Sequence, residues 1–265
     1  MFIFFDIGDT LVDEADFARF RHASLLRLFR AHGCAINEEQ YRADLDALWM
    51  QARMPLFDQV CWLAARNGGD TALAMAVFRD YTVHIAPEAP RRFRPFPDAI
   101  RSLEALKANG HRLGIIANQP AWIRARLRDW HLLDAFVPDA VVISDEVAIA
   151  KPRPEIFQFA LHQAGVSAEE AVMVGNDYIF DIEPAKRLGM CTVWVEREDP
   201  YAPGAPPVHA PLAADARIAE LAAVSAVLAV LPRTLRPGGA GGRSRAESPA
   251  RRVRASQVHV RRPMR

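Results

Sequence analysis

Cysteine is scarce in this chain. Its three copies, Cys34, Cys61 and Cys191, show no CxxC spacing and no paired histidine, which excludes a disulfide framework and a zinc site of the usual pattern. They are expected as buried, reduced thiols, and His32, the histidine nearest to any of them, as a helix-end residue. Long apolar runs are missing too: no stretch approaches the roughly 20 residues that a membrane helix needs, and the apolar N-terminus is short and has no basic leader. A cytoplasmic protein with no membrane partner is expected. The net charge is only +1, but that balance conceals an asymmetry. Pro232 to Arg265 contains ten Arg and one Glu, so this tail carries +9 and the rest of the chain −8. An acidic body argues against a nucleic-acid-binding core. The tail is rich in Gly, Pro, Ser and Arg and poor in large apolar residues, the composition of a disordered extension. No aromatic residue interleaves its arginines, as single-stranded nucleic-acid binding would require.

What the chain does have is length and apolar content. With 265 residues, 51% of them hydrophobic, it can bury a sizeable α/β core and still carry an insertion. At the N-terminus Phe2-Ile3-Phe4-Phe5 stops at Asp6 in FFDIGDTL. A continuous apolar run that ends in a carboxylate and a Gly-containing turn predicts a buried parallel strand delivering Asp6 to its carboxyl end, the edge where open α/β sheets place their sites. A second apolar strand, through Leu113, Ile115 and Ile116, ends at Ala117-Asn118. Lys151 follows in AKPRPEIF, where two prolines punctuate the chain before a helix. Last comes AVMVGNDYIFDIEPAKRLGM, a strand to Val174, a turn at Gly175, and Asp177 and Asp181 four residues apart, on one face if a helix starts there.

Strand ends carrying Asp, a small residue with Asn, Lys and a carboxylate cluster, in that order, resemble the haloacid dehalogenase superfamily. The resemblance covers about residues 1 to 230 and, with a variant nucleophile loop of the form DxGDT, is closest to its subfamily I, which has a helical cap. It implies a Rossmann-like parallel sheet with helices on both faces, residues 1–12 and 96–231, and an inserted four-helix cap, residues 13–95, ahead of the tail at 232–265. The pattern between Asp6 and the second core strand agrees, since it reads as helix only. Phe17, Phe20, Leu25 and Leu28 lead to a stop at Gly33; Asn37 caps a helix through Tyr41, Leu45, Leu48 and Trp49 to Pro55; a third runs from Phe57 to Arg66; Thr71 starts a fourth. Prolines from Pro87 to Pro97 are expected to hold extended backbone. Core elements follow as helix 98–109, strand 111–118, helix 120–133, strand 139–144, helix 154–164, strand 171–175, a helix from about 178, strand 191–195, and a last helix over 215–230.

An aspartate suits nucleophilic phosphoryl transfer because a carboxyl of reference pKa about 3.9 is ionised at neutral pH. Two anions repel, so a phosphate approaches it only across a bridging cation and a lysine. The resemblance assigns Mg²⁺ to Asp6, the carbonyl of Gly8, and Asn176, Asp177 and Asp181, the substrate phosphate to Ala117, Asn118 and Lys151, and catalysis to Asp6 and Lys151. Lys151 is one of only three lysines. Three positions depart from the family pattern. Gly8 stands where a general acid, two residues beyond the nucleophile, is usual, with Asp9 displaced by one. Ala117 replaces a hydroxyl residue, and Asn176 replaces a metal-binding Asp. The implied enzyme is a Mg²⁺-dependent phosphatase of a small phosphorylated metabolite with a weakened general acid, favouring leaving groups that depart unprotonated. The alternatives are a 2-haloacid dehalogenase-like enzyme, needing no metal, and a catalytically impaired binding protein. Trp49, Met54, Phe57 and Trp62 could line a substrate pocket, but their helical spacing reads as the cap's core; Arg19 and Arg53 read as solvated helix faces.

Overall fold

The computed structural model describes residues 1–51, 56–196, 212–231 and 259–260, with the side chains at 46, 48–51 and 259–260 left aside. Contacts divide these residues into two compact units, one built from Met1–Val12 and from Pro95 onward, the other from Asp13–Arg94. The chain passes between them at two short strands that form a small sheet of their own, β2 (Val12–Asp13) and β3 (Arg94–Pro95).

The first unit is built on β1 (Phe2–Phe5), whose four apolar residues are buried on both faces as a strand inside a parallel sheet requires. The other strands are β4 (Arg112–Ala117), β5 (Val141–Ile143), β6 (Ala171–Gly175), β7 (Cys191–Val195) and β8 (Ala216–Ile218). They lie in the order β5-β4-β1-β6-β7-β8, all parallel, and β9 (His259–Val260) adds antiparallel at the edge. This is the Rossmann-like doubly wound arrangement expected from the sequence. Beside β1 the strand order turns back on itself, from β4 and β5 on one side to β6 and β7 on the other. Such a switch point opens a crevice at the carboxyl ends of the strands. In chain order the helices of this unit are α6 (Ala99–Ala108), α7 (Ile123–Asp129), α8 (Ser144–Val147), α9 (Pro154–Ala164), α10 (Glu183–Arg187) and α11 (Val224–Val230). Phe2, Phe4 and Met173 of the sheet pack with Ile156, Phe157 and Ala160 of α9 in one core cluster.

The second unit is helical: α1 (Ala15–Ala31), α2 (Glu38–Gln51), α3 (Leu56–Arg66), α4 (Thr71–His84) and the short α5 (Ala89–Arg92). The Asn37 carboxamide oxygen accepts from Gln40 N at 2.8 Å at the start of α2, and Asp70 accepts from Leu73 N at 2.9 Å at the start of α4. Leu25, Phe29, Tyr41, Leu45, Val60, Leu63 and Val77 close its core, and Trp62 packs against them as helical spacing led one to expect, whereas Phe57, expected there too, is exposed.

Four expectations are corrected. Pro87 lies in a 3-10 turn (Ala86–Glu88) and Pro90 in the first turn of α5, positions where a missing N–H leaves nothing unsatisfied; the backbone turns extended only at Phe93, leading into β3. Residues 215–230 are not one helix. Ala216, Arg217 and Ile218 alternate buried, half-buried and buried and pair with Val193–Val195 as β8, and only Val224–Val230 is α-helical. The helix read over 120–133 is cut to α7, and of the three thiols only Cys34 is buried outright, Cys61 and Cys191 being half-buried. His32 does end a helix, as the C-cap of α1, with Asp80 at 2.8 Å. Met54 and Arg53 lie outside the described residues, as do the side chain of Trp49 and most of the tail.

Candidate active site

Asp6 follows the last residue of β1, and its own N–H donates to Val174 O of β6 at 2.9 Å. The loop beyond it closes on Ile7, whose carbonyl accepts from the N–H groups of Thr10, Leu11 and Val12. Asp9 sits in this loop at φ 51, in the left-handed region that Asp tolerates better than most residues. Beneath the loop, the Lys151 ammonium donates to Asp6 Oδ1 at 2.6 Å and to Asp181 Oδ1 at 2.5 Å. Lys151 is 4% exposed and Asp181 fully buried. Burial pushes the Asp6 carboxyl up from its ordinary 3.8 to about 7; Lys151 opposes the rise and the charge of Asp181 adds to it. Lys151 shows the converse. Burial alone would lower it, but Asp181 and then Asp6 outweigh that effect and hold it above its usual range.

The carboxyl end of β4 supplies the next residues. Ala117 is fully buried, and Asn118 turns its carboxamide onto the backbone of Lys151, accepting from its N–H at 2.8 Å and donating to its carbonyl at 2.9 Å. One residue on, Gln119 N donates to Ser144 Oγ at 3.1 Å. Asn118, a substrate-binding residue in the sequence reading, thus uses its side chain on the lysine loop.

After β6 the chain makes a π turn, Tyr178–Ile182, before α10. Gly175 is required by close approach, because a Cβ there would meet Asp181 Oδ2 at 2.3 Å. The same Oδ2 accepts from Asp177 N at 3.0 Å. The two aspartates, expected to share a helix face toward one ligand, are used differently. Asp177 Oδ1 accepts from Ile179 N and Phe180 N and caps the turn, whereas Asp181 faces Lys151. Asn176 is held at both ends, its Oδ1 by the Thr10 hydroxyl at 3.2 Å and its carbonyl by Trp194 Nε1 at 2.8 Å. Thr10 and Trp194 were missed by sequence reasoning. Trp194 reads as an ordinary core residue of β7, and nothing local signals that its indole N–H reaches Asn176.

The donor set fits a hard divalent cation. Two buried carboxylates, Asp6 and Asp181, face one ammonium, so with both ionised one negative charge is left uncompensated in a buried place, and burial first, then Asp181, raises the Asp6 carboxyl. Among the described residues no group of three or more His, Cys, Asp or Glu side chains gathers for a metal. The fit rests on Asp6 and Asp181 alone, since Mg²⁺ usually binds through one or two carboxylates, keeps several waters and takes other oxygens from a phosphate.

A parallel, doubly wound sheet with an acid and a lysine buried together at its switch point is an α/β protein of Rossmann-like class with its candidate site at the carboxyl ends of the strands. More particularly, residues 1–189 match the family model of the haloacid dehalogenase-like hydrolases, and the chain belongs to that family. It is 32% identical over 200 residues to a glyceraldehyde 3-phosphate phosphatase of Methanothermobacter thermautotrophicus, covering 74% of this chain and 85% of the relative. To the pyrimidine 5'-nucleotidase YjjG of Escherichia coli it is 30% identical over 216 residues, covering 75% and 88%. Among solved structures, a HAD phosphatase from Thermococcus onnurineus superposes with a TM-score of 0.57 at 28% identity over 85% of this chain and 96% of that one. A 2-haloacid dehalogenase from Pseudomonas syringae does so with a TM-score of 0.54 at 25% identity, over 86% and 97%.

Proposed function

We propose that this hydrolase is a Mg²⁺-dependent phosphatase of a small phosphorylated metabolite, working through an aspartyl-phosphate at Asp6. The observation that carries the reading is the buried Asp6–Lys151–Asp181 cluster at the end of the central strand; relatives named as phosphatases support it. An oxygen of Asp6 attacks phosphorus, a P–O bond forms to the carboxylate, and the bond to the leaving oxygen breaks. Lys151 neutralises the charge on Asp6 and on the phosphoryl oxygens, and Asp181 holds the ammonium in place. Water then attacks phosphorus, the P–O bond to Asp6 breaks, the water protons leave with the phosphate and to solvent, and Asp6 is regenerated as the carboxylate. The metal would be held by Asp6, the Gly8 carbonyl, Asn176 and Asp181, with Asp177 as their supporting cap, and when bound supplies charge neutralisation for the approach of two anions. With Gly8 in place of an acid, the leaving group departs as its anion, which favours aryl or acyl phosphates and anhydrides.

The test is hydrolysis of an aryl phosphate and a sugar phosphate, each with and without Mg²⁺, by the native chain and by Asp6→Asn. The expected result is metal-dependent turnover that prefers the aryl ester and is abolished by the substitution. Turnover of a 2-haloacid without metal, and of neither phosphate, would replace the reading with dehalogenation.

A further inference from the structure

We infer that Asn118 is the positioning residue of Lys151, clamping its backbone so that the ammonium falls between Asp6 and Asp181; this rests on the proposed role of Lys151. The lysine lies in a loop that cannot hold itself. It is preceded by the left-handed Ala148 (φ 55) and followed by Pro152 and Pro154, which have no N–H, and the loop's own backbone bond runs from Arg153 N to Ala150 O. Asn118, 33 residues earlier, captures both polar groups of the Lys151 backbone, as a neighbouring strand would. The chemistry selects asparagine. The short carboxamide presents one acceptor and one donor side by side, and only the orientation with Oδ1 toward the N–H and Nδ2 toward the carbonyl satisfies both. Aspartate could accept but not donate, and serine is too short to span both groups. Asn118 is itself anchored independently, because the next residues are tied to α8 by Gln119 N to Ser144 Oγ, Asp145 N to Gln119 O, and Ala121 N to Asp145 Oδ2. Removing the carboxamide therefore frees the lysine loop while its neighbour stays in place. The ammonium has no slack, being held at 2.6 and 2.5 Å by two buried carboxylates, so displacement of its backbone is felt at both.

The scarcity of lysine makes the test direct. Amine acylation of the full chain, quantified at each lysine by mass spectrometry, reports on Lys151 with exposed Lys107, bonded to Asp134 O, as internal reference. Asn118→Ala is expected to raise the Lys151 acylation rate on the order of tenfold to a hundredfold, as loss of two hydrogen bonds implies, with Lys107 unchanged. Asn118→Asp, isosteric and retaining the acceptor, is expected to fall between, and it keeps the question answerable if the alanine variant does not fold. In aryl phosphate turnover, Asn118→Ala should lower kcat by a similar factor in the native background and add no further loss to Lys151→Met. Unchanged Lys151 acylation in a folded Asn118 variant, or losses that simply multiply in the double variant, overturns the proposal. If acylation rises while Lys151→Met leaves turnover intact, the clamp stands and the catalytic reading of Lys151 falls.

Discussion

At Asp6 a buried site and a charged function pull in opposite directions. Burial raises the Asp6 carboxyl of the folded chain to about 7, against an ordinary value of 3.8. Between those values the folded state binds more protons, so the contribution of Asp6 to stability is fully present below 3.8 and lost as pH rises through about 7. A bound divalent cation reverses this by stabilising the ionised form. The stability of the native chain relative to Asp6→Asn should therefore decline across that window in a chelator and recover with Mg²⁺, as measured by thermal unfolding at stepped pH. A difference independent of pH and of metal would mean that Asp6 is ionised throughout by its lysine alone. The acid limb of turnover should move to lower pH as Mg²⁺ is raised, for the same reason. Gly175 belongs to this scale too: its missing side chain is what lets the Asp181 carboxylate lie against the backbone.

Among the elements, the helical unit carries its own buried charge. Asp44 on α2 is fully buried and accepts from Gln40 Nε2 at 2.9 Å, Arg66 Nε at 3.1 Å and Asn67 Nδ2 at 2.9 Å, tying α2 to the end of α3. Removing it takes from three donors their shared, charged acceptor, although Asn67 keeps its bond to Leu63 O and Gln40 and Arg66 can turn to water. Asp44→Ala should cost about 3 kcal/mol in chemical denaturation, while Arg42→Ala, which breaks the exposed pair with Glu38 on the same helix, should cost less than about 0.5 kcal/mol. Equal effects would show that the network contributes only as surface charge does. His22 on α1 adds an acid sensitivity of the same unit. It is buried beside the Tyr41 hydroxyl at 3.2 Å, and burial, with Arg21, depresses it to about 3. Its contribution is whole above 6.5 and is lost as pH falls toward 3.

Over the whole molecule, the sheet and its family were legible because a two-sided parallel sheet writes itself as apolar runs, and β1, β4, β6 and β7 are such runs, the first three leading into residues that the superfamily resemblance rests on. Helices of the second unit were legible through their caps and glycine stops, such as Asn37 and Gly33. Less legible were elements whose identity depends on partners: β8 is three residues long and becomes a strand by pairing with β7, and Pro87 and Pro90 start helical turns that packing supports. The site divided in the same way. Asp6, Lys151 and Asp181, which the structure brings together, were singled out by motif, but the clamp of Asn118 on Lys151 and the reach of Trp194 to Asn176 span distances in the chain that no local pattern records. The central claim is that Asp6 bonds covalently to phosphorus, and acid quenching during aryl phosphate turnover, followed by peptide mass mapping, tests it most directly. The expected result is a phosphoryl group on the N-terminal peptide containing Asp6, absent from Asp6→Asn. Turnover with no phosphoryl group on that peptide, and undiminished in Asp6→Asn, would contradict the account.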